Sequence, residues 1–465
     1  SLRQPKKSVK LISDRYGMRM LYWYCKAGLF AWAGEVKGIL ALEGIDKTID
    51  PTSPHCFMDL RYLMGEHTWF EHIRLIKPAT VLEYNIESQT IEQHHYWKWS
   101  EIQPSHLTFD QAVDELGERF LDSVRRRFDS NGKIGISLSG GLDSRAILAA
   151  VNYLYPNYQG YFYTFGKPGC DDIKIAQQVA TRANWKHQIF YFNENNWFSP
   201  RLEKIWHTGG MMDMMHMHGS EFLDDIALNM DVNLNGYAGD AIVGGGFLNR
   251  VPFNSRVTVE NSEAFYKNYS ILSSPDSDFY DINHVEPNLY MNRVRRFTNM
   301  GTVNGLIKVD QRKPFFDNGI VDLVFSLPDE YRLDNKLYAA MLLKFFPNYF
   351  EDIPWQKTGK PVGKGKVSLP MKALRKISRI PIRLGYVDDK NNYTNYPMWI
   401  RSDSVKKQIE TILGAPDNYV NEIFGGNQME KYLVPHLACK RINHSNEILR
   451  LVTMEVYFKK VFSDE

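Results

Sequence analysis

The sequence predicts an α/β protein with three parts: a β-rich segment, a parallel sheet with crossover helices, and further helices. Three observations lead to this fold class. Short apolar runs alternate with amphipathic stretches between residues 108 and 192, a glycine-rich turn follows the first run, and short aromatic runs fill the first hundred residues. Because parallel strands need long crossover connections, such alternation indicates a parallel α/β sheet.

Composition and charge restrict the classes of function. At 465 residues the chain is too long for one ordinary core, so two or three domains are expected. Fifty-six Lys and Arg against 54 Asp and Glu leave a net charge of +2, which gives no electrostatic reason to expect nucleic acid or an anionic membrane as partner. No apolar run approaches the roughly 18 residues of a membrane span. Four scattered cysteines and an N-terminus without an apolar signal region favour the cytoplasm.

Residues 1–103 are predicted to form the β-rich domain. Two pairs of short strands are expected in it, the first around the turn Lys26-Ala27-Gly28. The first pair comprises Leu21–Tyr24 and Leu29–Trp32, the second Val81–Tyr84 and Ile91–Trp97. The polar stretch Trp99–Ser105, which contains Pro104, is the predicted linker.

Residues 104–370 are predicted to form the parallel-sheet domain, which opens with an amphipathic helix over Thr108–Arg127. Strands are then expected over Ile134–Leu138, Tyr161–Phe165 and Gln188–Phe192, and helices over Ser144–Leu154 and Ile173–Ala183. Beyond about residue 255 the chain is expected to be mostly helical, with a basic loop at Lys357–Lys366. Residues 371–465 are predicted to be a helical extension.

The segment Ser139-Gly140-Gly141-Leu142-Asp143-Ser144 lies between the first predicted strand and helix. Adjacent glycines let the backbone approach a phosphate, and the free N–H groups of a helix start point towards it. The serine hydroxyls can donate further hydrogen bonds, and Asp143 can hold Mg²⁺ bound to the same phosphates. A tight turn without a ligand is the alternative, but the complete hexapeptide in this position favours ATP binding.

This hexapeptide resembles the pyrophosphatase loop of the asparagine synthetase family, which cleaves ATP to AMP and pyrophosphate. The resemblance covers most of residues 11–365. Its other segments are Leu11–Trp23, Ala33–Leu40, Tyr163–Gly166, Asn235–Asp240, Val309–Asp317 and Ile353–Lys357. The resemblance implies an adenine nucleotide α-hydrolase-like synthetase domain with C-terminal helices, preceded by a partial Ntn-hydrolase-like glutaminase domain.

The resemblance also implies roles for individual residues. Asp143 and Asp240 would share Mg²⁺, and Lys357 would stabilise charge while the acyl-adenylate forms or is attacked. A solvated surface lysine is the alternative for Lys357, because other lysines lie close to it in the sequence. ATP would be bound by Ser139, Gly140, Gly141, Asp143, Ser144, Phe165, Asn235 and Gly236.

Two departures from the family pattern leave the substrates open. The family's glutaminase nucleophile is an N-terminal cysteine, whereas this sequence begins Ser1-Leu2-Arg3, so glutamine hydrolysis is not expected. A truncated chain, a separate glutaminase polypeptide and a lost activity all remain open. Tyr237 stands where asparagine synthetases carry a glutamate and where β-lactam synthetases carry a tyrosine. It could act as a base with Asp310 as its acidic partner, or it could only pack against the adenylate.

The predicted function is therefore adenylation of a small-molecule or peptide carboxylate, followed by amide formation with ammonia or an amine. A ring-closing synthetase and a non-catalytic partner subunit are the alternatives, and a homodimer is an open possibility. The segment Met211–His218 offers soft metal ligands, but packing in the core or a methionine-rich wall near the acceptor pocket is favoured over a metal site.

Overall fold

The computed structural model describes residues 7–129, 131–248, 279–282, 284–364 and 389–463. The chain forms two compact units. Unit 1 comprises the described parts of 1–103, 208–212 and 250–300, and unit 2 comprises those of 104–207, 213–249 and 301–465. The predicted domain limits at residues 103 and 370 stay predictions.

Unit 1 contains two three-stranded antiparallel sheets, with strand orders β1-β5-β6 and β3-β2-β4. Its strands are β1 (Ser8–Ile12), β2 (Tyr22–Lys26), β3 (Leu29–Ala33), β4 (Ile73–Leu75), β5 (Thr80–Asn85) and β6 (Thr90–His95). Its short helices are α1 (Val36–Leu40) and α2 (Ser53–Leu60), and a helical segment over Glu286–Leu289 and Tyr290–Thr298 also belongs to this unit.

Both predicted strand pairs of unit 1 are confirmed. The turn between β2 and β3 places Ala27 and Gly28 at φ values of 51° and 80°, the paired positive angles of a tight hairpin whose twist matches its strands. Strands β5 and β6 pair in full from Thr80↔His95 to Asn85↔Thr90.

Unit 2 is built on a five-stranded parallel sheet with the order β11-β10-β7-β8-β9, which confirms the predicted parallel α/β architecture. The strands are β7 (Ile134–Ser137), β8 (Tyr161–Gly166), β9 (Lys186–Tyr191), β10 (Val232–Leu234) and β11 (Asp310–Arg312). The prediction of a mostly helical chain beyond residue 255 missed β11. Three residues with charged ends are too short to show the alternation that marks a strand.

The helices of unit 2 begin with α3 (Phe109–Arg127), which Thr108 and Gln111 cap reciprocally: each side chain accepts from the other residue's N–H group. The helices that follow in the first half are α4 (Asp143–Leu154), α5 (Asp171–Ala183), α6 (Phe198–Ile205), α7 (Leu223–Ala227) and α8 (Gly239–Ile242). The predicted helices over 108–127, 144–154 and 173–183 are thus confirmed within two residues.

In its described residues, the second half of unit 2 is mostly helical. Its helices are α9 (Asn299–Gly305, which begins at the end of unit 1), α10 (Asn318–Ser326), α11 (Asp329–Arg332), α12 (Lys336–Phe345), α13 (Pro347–Phe350), α14 (Tyr396–Trp399), α15 (Asp403–Leu413), α16 (Tyr419–Phe424), α17 (Val434–Ala438) and α18 (Ser445–Phe462). Short 3₁₀ turns cover Trp99–Glu101, Trp206–Thr208, Met214–His216, Ser220–Phe222 and Leu333–Asn335, and a π-helical turn covers Met429–Leu433. Among the described residues, no helix combines the length and the apolar character that crossing a membrane requires.

Buried aromatic and aliphatic side chains hold the sheet of unit 2 in place. One core cluster consists of Tyr161, Tyr163, Phe190, Leu223, Ile226, Met230 and Val309. The methionines at 211 and 212 in unit 1 and at 214 and 217 in unit 2 are also buried, which favours packing in the core. The carboxyl end of the parallel sheet, where β7 and β10 end, is the usual place for a ligand in such folds.

Candidate functional site

The glycine-rich loop connects β7 to α4 at the carboxyl end of the sheet. Its own serines hold it in shape: Ser139 N–H donates to Ser144 Oγ (3.1 Å), and Gly141 N–H donates to Ser139 Oγ (3.2 Å). The first-turn N–H groups of α4 have no carbonyl four residues earlier within the helix, so this end of the helix suits an anion. The structure thus brings four predicted ATP ligands, Ser139, Gly140, Gly141 and Ser144, to one loop at a helix start.

A second segment, Trp355–Lys357, is fixed directly on this loop. Gln356 N–H donates to Gly140 O (3.2 Å), and a side chain at position 140 would place its Cβ 3.0 Å from Gln356 Cβ. Asp172 joins the two segments, because Oδ1 accepts from Gly140 N–H (2.9 Å) and Oδ2 accepts from Gln356 Nε2 (2.6 Å). A side chain at position 140 would therefore be tightly crowded. Sequence reasoning gave Gln356 no role, and it included Asp172 only in the stretch after Tyr163–Gly166 that resembles the family's second nucleotide-site strand and helix.

Arg145 holds the chain that leads to Lys357. This arginine of α4 is fully buried, and its guanidinium donates to Ile353 O (3.1 Å) and Pro354 O (2.8 Å). Burial lowers its pKa to about 10, which still leaves it charged at neutral pH. No sequence signal distinguished Arg145 from the other residues of the helix.

The two predicted metal ligands, Asp143 and Asp240, lie next to each other. Asp240 N–H donates to Asp143 Oδ2 (2.9 Å), and Tyr338 Oη donates to Asp143 Oδ1 (3.0 Å). Glycine permits the approach, because a Cβ at Gly239 would lie 2.6 Å from Asp143 Cγ. Burial, with the charge of Asp240 adding to it, raises the pKa of Asp143 to about 7.

These residues fit Mg²⁺. Two carboxylates from separate loops provide the oxygen ligands that Mg²⁺ prefers, beside a loop suited to phosphates. The raised pKa of Asp143 reflects an uncompensated cost of negative charge, which a divalent cation would remove. The third charged group is Lys357, whose Nζ is 3.8 Å from Asp240 Oδ2 and 5.0 Å from the Trp355 ring centre.

Asn235 and Gly236 follow β10 directly at the same end of the sheet. Asn235 Nδ2 donates to Gln311 Oε1 (3.0 Å), and Asn233 Nδ2 donates to the same oxygen (2.9 Å). A Cβ at Gly236 would lie 2.8 Å from Ser144 N, so this turn packs directly on the start of α4.

Phe165, the remaining predicted ATP ligand, ends β8 together with Gly166. Its ring centre lies 5.4 Å from that of Phe192 and 6.3 Å from that of Tyr393, and a Cβ at Gly219 would touch the ring at 3.1 Å. The side chain is therefore engaged in packing, and any nucleotide contact here falls to the backbone, as the family resemblance implies.

The predicted catalytic residues Tyr237 and Asp310 are placed by two neighbouring strands, β10 and β11. The parallel pairing sets Asp310 level with Val232 at the amino end of β10, whereas Tyr237 follows the carboxyl end of that strand. Arg312 Nε instead donates to Asp310 Oδ2 (2.9 Å). Tyr237 is buried against Phe316, with ring centres 5.7 Å apart, and Lys313 Nζ is 5.0 Å from its ring centre. The predicted Tyr237–Asp310 pair therefore stays a prediction.

Comparisons with known proteins agree with both halves of this architecture. A family model described as asparagine synthase matches residues 115–270, and one described as glutamine amidotransferase domain matches residues 3–97. Asparagine synthetase [glutamine-hydrolyzing] 3 of Bacillus subtilis is 22% identical over 78% of this chain and 67% of its own length. Amidase chry2 of Gibberella zeae is 27% identical over 30% of this chain and 21% of its own length. Two relatives from Methanocaldococcus jannaschii are each 24% identical, and this chain spans only 37% and 57% of their lengths.

Proposed function

Because this chain belongs to the asparagine synthetase family, we propose that it adenylates a carboxylate with ATP and converts the adenylate to an amide with ammonia or an amine. One observation carries the proposal. The backbone N–H of Asp240 donates to the Asp143 carboxylate beside the glycine-rich loop, and the ammonium of Lys357 lies 3.8 Å from the Asp240 carboxylate. A triphosphate site needs this combination of a phosphate loop, paired acids and a cation.

The proposed chemistry has two steps. A carboxylate oxygen of the substrate attacks the α-phosphorus of ATP, the bond to the outer phosphates breaks, and pyrophosphate leaves. The amine nitrogen then attacks the acyl carbon, the carbon–oxygen bond to AMP breaks, and the nitrogen loses a proton. Mg²⁺, held by Asp143 and Asp240, would neutralise charge on the leaving pyrophosphate.

The protein's own groups orient these reactants. The hydroxyls of Ser139 and Ser144 and the start of α4 offer donors to the phosphates. Lys357 is positioned by Arg145 and Gln356, and it would stabilise negative charge at the α-phosphorus or the acyl oxygen. Binding both reactants in one place replaces a bimolecular encounter with a nearly intramolecular step.

The test is the fate of ATP. The full chain is incubated with ATP, Mg²⁺ and a panel of small-molecule and peptide carboxylates, with ammonium or simple amines as acceptors. AMP and pyrophosphate are the expected products with at least one carboxylate. Formation of ADP and phosphate, or a failure to bind ATP, would exclude the adenylation proposal. The same absence of ATP binding would be expected of a non-catalytic partner subunit.

Ring closure is separated from intermolecular amide formation by leaving out the amine. A ring-closing enzyme forms product from a substrate that carries its own amine, whereas the favoured reaction stops at the adenylate. Tyr237 is buried against Phe316, which is the packing role that was the alternative to a catalytic base. Glutamine and ammonium are compared as amine sources, with and without an added glutaminase, because the donor is part of the proposal.

A further inference from the structure

The helix start that follows the αL turn Asp334–Asn335 contacts both proposed metal ligands. Tyr338 Oη donates to Asp143 Oδ1 (3.0 Å). With its amide nitrogen turned towards them, Asn335 donates to Asp240 Oδ1 (3.0 Å) and Gly244 O (3.3 Å). Asn335 is the N-cap of α12 and Tyr338 is the third residue of the helix, so both lie at the helix start.

The backbone of this turn is unusual. Asp334 and Asn335 adopt φ values of 56° and 62°, two successive left-handed residues that are not glycine. Strain of this kind persists where the surrounding structure requires it. Here it turns the chain so that the Asn335 side chain reaches Asp240 while Tyr338 points at Asp143.

The surroundings fix both side chains. Tyr338 is fully buried, and its ring meets Phe315 edge to face with 5.8 Å between the ring centres. A Cβ at Gly244 would lie 2.2 Å from the Asn335 amide, so glycine is required at that position. A Cβ at Gly245 would lie 3.0 Å from the backbone carbonyl oxygen of Arg332, which comes just before the turn. The contacts therefore join the turn at 332–338 to the loop that follows Asp240.

We propose that Asn335 and Tyr338 are positioning residues that orient Asp240 and Asp143 for the divalent cation of the nucleotide complex. This inference rests on the proposed function. Each side chain donates to one oxygen of a carboxylate and so fixes the direction in which the other oxygen points. Partners of this kind commonly change metal affinity by about tenfold or more when they are removed.

The test separates metal binding from nucleotide binding. Mg²⁺ is titrated calorimetrically into the full chain saturated with α,β-methylene-ATP, which cannot release pyrophosphate, and affinity for the same nucleotide is measured in EDTA. Two variants are used. Tyr338→Phe removes only the hydroxyl. Asn335→Gly removes only the side chain, because glycine readily adopts the left-handed backbone conformation.

Each variant is expected to raise the dissociation constant for Mg²⁺ about tenfold while the affinity in EDTA stays at the wild-type value. The matched controls are Tyr331→Phe, which removes a hydroxyl bonded to Leu107 O, and Asn184→Gly, an exposed left-handed asparagine at the end of α5. Both controls should bind Mg²⁺ as the wild type does.

An unchanged Mg²⁺ affinity in both variants would overturn the inference. So would an equal loss of affinity in EDTA, because that result indicates a general disturbance of the fold. If the wild type shows no Mg²⁺-dependent nucleotide binding, the proposed function itself fails, and the inference fails with it. A wild type that binds normally beside unchanged variants leaves the proposed function standing.

Discussion

At the scale of single residues, Asp143 combines burial with charge. It lies in the first turn of α4, where the helix start favours an anion, and it receives hydrogen bonds from Asp240 N–H and Tyr338 Oη. Yet it is buried beside a second carboxylate, and both factors raise its pKa to about 7. Such a residue lowers the stability of the fold but can bind a cation, and this compromise is common at functional sites.

We predict opposite effects of Asp143→Asn on activity and stability. Pyrophosphate release should fall more than about 100-fold, because an amide is a poor ligand for Mg²⁺. The free energy of unfolding at pH 8 should stay the same or rise, because a buried charge beside Asp240 is removed. The amide oxygen can still accept from Asp240 N–H, and the amide nitrogen can donate to the Tyr338 hydroxyl, which reverses its role. Pyrophosphate assays and urea unfolding measure the two effects.

The matched control for this variant is Asp110→Asn, which removes an exposed acid from the first turn of another helix, α3. It should leave pyrophosphate release unchanged. A clear loss of stability in Asp143→Asn, or retained activity, would contradict the role given to this carboxylate.

For Asp310 the prediction is that its charge is not needed for turnover. The Asp310→Asn variant should keep activity within about twofold and lose at most about 1 kcal/mol of stability, because it weakens a partly exposed ion pair with Arg312. Steady-state rates and urea unfolding provide the measurement. A loss of activity as large as that of Asp143→Asn would support Asp310 as a candidate acid.

Sequence reasoning found the site residues that belong to local motifs and missed those whose partners lie far away in the sequence. Ser139 to Ser144 form one continuous turn, so their grouping is visible in the sequence. Tyr338 reaches Asp143 across 195 positions of the chain, and Gln356 reaches Asp172 across 184. Neither has a periodicity or spacing that could reveal its contact.

At the scale of secondary-structure elements, α17 shows how a buried histidine depends on its protonation state. His436 is fully buried, its Nδ1 accepts from His444 N–H (3.1 Å), and its Nε2 lies 3.1 Å from Pro397 O. These two bonds require the neutral ring with hydrogen on Nε2. Burial and the nearby charge of Arg401 lower the pKa of His436 to about 4, with a smaller contribution from His444.

Stability should therefore fall as the pH is lowered. Above the unfolded pKa of about 6.5 the ring is neutral in both states, and between about 6.5 and 4 only the unfolded chain takes up the proton. His436 alone should lower the free energy of unfolding by about 2 kcal/mol between pH 7 and pH 5, since each pKa unit corresponds to about 1.4 kcal/mol.

Urea unfolding at the two pH values measures this loss. The His436→Gln variant should lose about 2 kcal/mol less than the wild type over the same interval, whereas His94→Gln, which alters an exposed histidine of β6, should follow the wild type. Identical pH dependence of all three proteins would show that His436 is not the titrating group.

The predicted elements differ in accuracy for a physical reason. Helices α3, α4 and α5 span several turns, so their apolar faces can be recognised from the local sequence. Strand β11 has only three residues, and it is a strand because β10 offers it hydrogen bonds over the register Val232↔Asp310 to Leu234↔Arg312. Such an element is defined by its neighbour rather than by its own pattern.

At the scale of the whole molecule, unit 1 takes in residues from three distant stretches of the chain. The helical segment 286–298 supplies two buried arginines to it. Arg295 donates to Gly17 O (2.9 Å) and Ile76 O (2.6 Å), and Arg296 donates to Leu63 O (3.0 Å) and His67 O (2.7 Å). A prediction that reads domains as consecutive stretches, such as 1–103, cannot anticipate this arrangement, because no local signal links residue 296 to residue 63.

Unit 1 should consequently depend on Arg296. In Arg296→Met the methionine fills much of the space, but the carbonyls of Leu63, Gly65 and His67 lose their donor. We expect the free energy of unfolding to fall by about 2 to 3 kcal/mol, since each carbonyl left without a donor costs on the order of 1 kcal/mol. Arg293→Met, an exposed change in the same helical segment, should stay within about 0.5 kcal/mol.

Two buried cysteines allow this loss to be assigned to one unit. Cys56 lies in unit 1 and Cys170 in unit 2, and both are fully buried, so a thiol reagent reaches each only when its surroundings open. In Arg296→Met, Cys56 should be modified about 30- to 100-fold faster than in the wild type, because each 1.4 kcal/mol corresponds to a factor of ten, while Cys170 should react at its wild-type rate. Mass spectrometry of the modified peptides distinguishes the two sites. Equal acceleration at both cysteines would mean that the units open together, and no acceleration at Cys56 would mean that Arg296 does not stabilise unit 1.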